Sequence, residues 1–105
     1  MGEVEITDRL QRRVSCDFPD PEVAKGVEGA LRSLVRKLGP DLVRGAGEER
    51  LMASVVVYAR GDMNRLRDAV GLAHIDWRDL LVATDLADLD FPQRLDEELP
   101  GLRGR

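Results

Sequence analysis

"EERLMASVVVYAR", residues 48–60, can be read two ways, and the choice decides the fold. Val55-Val56-Val57-Tyr58 has the β-branched and aromatic composition of a strand. Yet Leu51, Met52, Val55, Val56, Tyr58 and Ala59 recur at helical spacing, and no other stretch offers a strand to pair with this one. A lone strand leaves its backbone polar groups unpaired. The stretch therefore reads as a helix, and the chain as all-α.

The flanks agree. Gly61 ends this helix, and Asp62 caps the next, whose apolar stripe is Met63, Leu66, Val70 and Ala73. On the upstream side, residues 39–47 hold three glycines and a proline and read as a loop with a turn near 41–43. Before it, Val23, Val27, Ala30, Leu31, Leu34, Val35 and Leu38 mark an amphipathic helix with one buried side. Asp20 suits its N-cap and Pro21 its first position, where the missing N–H costs nothing. Arg36 and Lys37 sit where the helix dipole favours cations, and Gly39-Pro40 stops the helix. Ile6, Leu10 and Val14 give a thinner stripe at the N-terminal end, closed by Phe18-Pro19.

The C-terminal part repeats a pattern. Ile75-Asp76-Trp77-Arg78-Asp79-Leu80 is echoed by Leu89-Asp90-Phe91-Pro92-Gln93-Arg94-Leu95. Each copy has an apolar residue, an aspartate cap and an aromatic in the first turn. Ile75 and Leu80 occupy the two positions of a hydrophobic staple, and Gln93 completes a capping box with Asp90. Phe91, Leu95 and Leu99 supply the second copy's buried stripe. The echo marks two helix starts; a single recurrence makes no solenoid. The expected architecture is a compact bundle of five or six helices, near residues 4–16, 20–38, 47–60, 62–74, 76–86 and 90–99. The last three are short and joined by tight turns. One domain over residues 1–100 is expected, with a frayed tail at 101–105.

"DWRDLLVATDLADLDFPQRLDEEL", residues 76–99, also resembles the C-terminal end of a family of small, uncharacterised all-helical proteins of GC-rich actinobacteria. The resemblance is strongest over residues 46–99. It implies a helical fold and a bacterial cytoplasm, and it brings no catalytic or binding residues. Fourteen Arg against two Lys fit a GC-rich source.

Composition narrows the function classes. With 43% hydrophobic and 4% aromatic residues, an aliphatic core is available. Charged residues make up 34%, and the longest apolar stretch, Leu51 to Ala59, is about half what a membrane-spanning helix needs. Met1 to Glu5 lacks the basic and apolar regions of a signal peptide, and one cysteine forms no internal disulfide. The cytoplasm is the expected location. Acidic and basic residues balance over residues 1–60, so residues 61–105 carry the whole net charge of −4 and disfavour phosphate backbones there.

Chemistry-bearing patterns are thin. Cys16 and His74 are each unique, and no orienting motif surrounds the cysteine, so a Cys–His dyad is not expected. Asp85, Asp88 and Asp90 fail the calcium-loop pattern, whose sixth and twelfth positions here would be Gln93 and Leu99. CxxC, HExxH, glycine-rich phosphate loops and G-x-S-x-G are missing from the sequence. The expectation is a non-enzyme with no metal or cofactor. Residues 63–86 trace a helix–turn–helix outline, but the second helix would offer Asp79 and Asp85 to a groove with Arg78 alone. A better basic ridge is Lys25, Arg32 and Arg36 on the second helix, with Arg9, Arg12 and Arg13 upstream.

One feature points to a protein partner. In the helix from Asp76, Val82 and Leu86 lie opposite Trp77, Leu80, Leu81 and Thr84. Val57 likewise lies opposite the main stripe of helix 48–60, and Leu72 lies off its own. A helix apolar on two sides is central in the bundle or half of an interface. Helix 48–60 is the natural central one. Val57, Leu72, Val82 and Leu86 are the candidate interface of a self-associating, non-catalytic interaction module. The alternative is a nucleic-acid-associated regulator using Lys25, Arg32 and Arg36.

Overall fold

The computed structural model describes residues 6–39, 47–84, 86 and 91–99. The expected turn at 41–43, the cap at Asp90, the tail at 101–105 and the side chains of Phe91 and Leu95 lie outside the described residues. Five helices are described: α1 Asp8–Asp17, α2 Pro21–Leu38, α3 Glu48–Ala59, α4 Met63–Ala83 and α5 Phe91–Glu98. No strand occurs among the described residues, and the all-α reading holds.

Helix α3 settles the opening ambiguity. Every residue from Leu51 to Val57 is buried, Ser54 included, so the helix is enclosed on all sides. It lies against α4 over most of its length and also meets α1, α2 and α5. The valines that suggested a strand are there because a surrounded helix needs compact apolar groups all round. Ser54 satisfies its hydroxyl by donating to the carbonyl of Leu51, which removes the penalty of a buried polar group. Alanines at 53, 59, 69 and 73, all buried, let α3 and α4 approach closely. Leu10, Val14, Leu31, Leu34, Leu80 and Leu99 complete the core, with Leu86 from the segment after α4. Each such side chain contributes about 1.5–3 kcal/mol on full burial.

Helix ends follow the caps read from the sequence. The Asp20 side chain accepts from the Glu22 N–H at 2.9 Å, and that of Asp62 accepts from Asn64 and Arg65. Thr7 caps α1, so α1 begins at Asp8, four residues later than expected, with Ile6 packed beside the core. The two expected helices 62–74 and 76–86 are directly joined. Asp76, at φ −161° and ψ 96°, breaks α4 in place of a loop, and its carboxylate caps the second part by accepting from the Arg78 N–H at 3.1 Å. The break also removes the expected staple: Leu80 is fully buried, whereas Ile75 is 84% exposed.

Two arginines of α1 tie distant elements together. Arg9 donates through Nε and Nη2 to Glu49 of α3, both at 2.8 Å, and through Nη1 to Asp96 of α5 at 2.6 Å. Arg13 pairs with Asp17 at 2.7 Å, and its Nη1 reaches both the Glu98 carboxylate, at 3.1 Å, and the Glu98 carbonyl. The bidentate hydrogen bond with Glu49 outweighs burial and raises the Arg9 pKa above its ordinary value. For Arg13, burial works against the charge, but hydrogen bonds to Asp17 and Glu98 together prevail and raise it as well. Glu49 is lowered from 4.5, chiefly by Arg9 and further by the Thr7 hydroxyl, against the opposing effect of burial.

A lowered folded-state pKa means that Glu49 stabilises the protein above its unfolded value and that this contribution fades as pH falls through the folded value. Glu49→Gln is therefore expected to cost on the order of 1 kcal/mol at neutral pH, with the deficit shrinking below about pH 4.5. Urea unfolding of both proteins at neutral pH and at pH near 3 checks this; a deficit that stays constant contradicts it.

Candidate functional site

The four candidate interface residues separate into two groups. Val57 is 2% exposed and Leu86 is fully buried, so neither reaches a partner, and both are corrected from surface to core. Val57 is enclosed because α3 is the central helix, which leaves it no outward side. Leu86 is enclosed because α4 ends at Ala83 with Thr84 as its cap. The Leu86 N–H donates to the Leu81 carbonyl at 2.8 Å, the long bond of a Schellman-type ending, and brings the Leu86 side chain back under the helix. Helical phase, which placed Leu86 opposite Leu80, no longer applies past residue 83.

Leu72 and Val82 remain on the outside to different degrees. Leu72 is half-buried and packs against the core, while Val82 is 64% exposed. Ile75 joins them as the most exposed large aliphatic, one turn from Leu72 on the same helix. Thus α4 exposes Leu72 in part and Ile75 in large part before the break, and Val82 after it. Arg67, Asp68, Asp76, Arg78 and Asp79, all exposed, give the same helix both signs of charge. Beside them, Trp77 is half-buried against the core, with the Arg78 guanidinium 5.4 Å from its ring centre. The sequence flagged Ile75 only as a staple. Its exposure follows the phase of the first part of α4, where it lies about 200° round the helix from the buried Ala73.

The other candidates are dispersed. Lys25 and Arg36 are exposed on α2, and Arg32 lies between them, half-exposed and 4.0 Å from Glu28. Arg9 and Arg13 are drawn into the ion pairs to α3 and α5 and do not extend the ridge. Cys16 is exposed at the C-terminal end of α1, whose Asp17 abuts Gly61. His74 is also exposed, but twelve residues of α4 beyond Asp62, roughly 18 Å along the helix axis. The fold does not assemble the two into a nucleophile and base. Among the described residues no group of three His, Cys, Asp or Glu is placed to hold a metal ion, and no helix is long and apolar enough to cross a membrane. Asp85, Asp88 and Asp90 lie outside the described residues.

No protein-family model, curated protein or solved structure matches the chain.

Proposed function

We propose that the chain is a non-catalytic protein-interaction module of the cytoplasm that self-associates through the outer face of α4. The observation that carries this reading is the exposure of Ile75 and Val82, at 84% and 64%, on one helix of a small domain. Every other aliphatic helix face described turns its large side chains inward, apart from Met63 at 39%. Apolar surface rimmed by polar groups marks contact sites when it is contiguous, and an aliphatic removed from water contributes about 25 cal/mol per Å². The nucleic-acid reading has less behind it. Glu28 partly neutralises its ridge at Arg32, and the acidic C-terminal part opposes a phosphate backbone.

Light scattering behind size exclusion, over about a hundredfold dilution, tests the proposal. The wild type is expected to approach twice 11.7 kDa at the concentrated end. Ile75→Gln with Val82→Glu is expected to give a monomer with unchanged circular dichroism. A wild type that stays monomeric throughout, or a double variant that associates equally well, refutes it.

A further inference from the structure

We infer that α5 is an ion-held strap: it opens as a unit while the rest of the bundle stays folded, and the arginines of α1 set how often.

The argument begins with α5 alone. Eight residues are too few for a stable isolated helix. Its charges make matters worse. Asp96, Glu97 and Glu98 crowd the C-terminal turn, where the helix dipole is negative, and no basic residue stands there to offset them. The helical state of α5 therefore depends on what it docks against. Its backbone lies beside α3, and it reaches α1 through Arg9 on Asp96 and Arg13 on Glu98. Those two guanidinium groups bring positive charge to the one end of α5 that lacks it.

The hold is built to be released. Each arginine also grips a second carboxylate outside α5, Glu49 of α3 for Arg9 and Asp17 of α1 itself for Arg13. When α5 leaves, neither cation is stranded, so the large penalty for breaking a buried pair does not arise. Asp96 is largely exposed already and returns to water easily. Among the described side chains of residues 91–99, the one that opening withdraws from full burial is Leu99, and with it goes the cover over one flank of α3. The strap thus decides whether that flank is closed, and salt weakens its outer tie, Arg9–Asp96, more than the shielded Arg13–Glu98 pair.

Hydrogen–deuterium exchange on the full chain, comparing amides of residues 91–99 with those of α3, reads the opening directly. In the wild type, α5 is expected to exchange well ahead of α3. Asp96→Lys with Glu98→Lys separates docking from intrinsic helix stability, since it improves the dipole of α5 while turning both contacts with α1 repulsive. The inference requires exchange at residues 91–99 to rise about tenfold or more in this variant, with α3 unchanged within about twofold. Slower or equal exchange at 91–99 would show that α5 is held by its own helical stability. Exchange that rises equally in α3 would show that α5 is an integral part of the bundle. Either result overturns the strap.

Discussion

Leu86→Glu is expected to unfold the domain, whereas Val82→Glu, four residues earlier, is expected to leave it folded. Both residues look alike in the sequence, as aliphatics on the outer side of one helix. In the structure Leu86 is fully buried and Val82 is 64% exposed. Removing a buried leucine costs about 2–5 kcal/mol, and placing a carboxylate in the vacated space adds several more. The Arg50 Nη1 is already donating to the Leu86 carbonyl at 3.1 Å, and burial lowers the pKa of that guanidinium. The whole stability of a domain of this size is on the order of 5–10 kcal/mol, so the substitution consumes most or all of it. Val82→Glu exchanges one exposed side chain for another and is expected to move stability by no more than about 0.5 kcal/mol. Thermal melts followed by circular dichroism decide the matter: a cooperative transition for Val82→Glu and none for Leu86→Glu. If Leu86→Glu melts like the wild type, the helix ending that buries Leu86 is wrong.

The same pair marks the limit of what the sequence discloses. Helix positions were legible because local chemistry sets them: Asp20, Asp62 and Asp76 each accept a backbone N–H where the pattern placed a cap. The all-α class was legible too, because the valine run had nothing to pair with. Surface and core were legible only while a helix kept its phase. Ile75, still in phase with the first part of α4, faces outward opposite Ala73; after Ala83 the phase lapses and Leu86 turns inward. Val57 shows a different limit. Its burial follows from α3 being surrounded, and a residue opposite the main stripe of a central helix is as enclosed as the stripe itself. The ties of Arg9 and Arg13 to Asp96 and Glu98 span 87 and 85 residues of chain, and no local rule anticipates them.

Outer and inner faces of α4 consequently carry different constraints. Leu66, Ala69, Ala73, Leu80 and Leu81 must stay apolar to fill the core, and substitution among them is a question of volume. Ile75 and Val82 fill nothing inside the chain. Folding therefore tolerates polar residues at both positions, and a requirement for aliphatics there would have to come from association. Substitution at Ile75 and Val82 thus probes association without drawing on the core that sets stability.

The turn between α3 and α4 carries the second large effect: Gly61→Ala is expected to cost about 2–4 kcal/mol, a large share of the total for so small a change. Two causes add. Gly61 has φ +81°, a conformation that costs a residue with a Cβ about 1–2 kcal/mol. That Cβ would also stand 3.0 Å from the Asp17 carbonyl oxygen, at the end of α1. The obstacle is backbone, held by a helix that the Arg13–Asp17 pair fastens, so it cannot swing aside as a side chain would. Either α1 moves away from the turn or the turn unwinds, and both disturb the seat of Phe18, which is buried. Arg60 provides the internal control. It is the neighbouring residue, also left-handed at φ 46°, but exposed. Arg60→Gly should relieve its strain and stabilise the protein by up to about 1 kcal/mol. Urea unfolding of the two variants gives opposite signs if close approach and left-handed backbone are the causes. Equal losses in both would mean that the turn merely tolerates no change, and the steric account of Gly61 would fail.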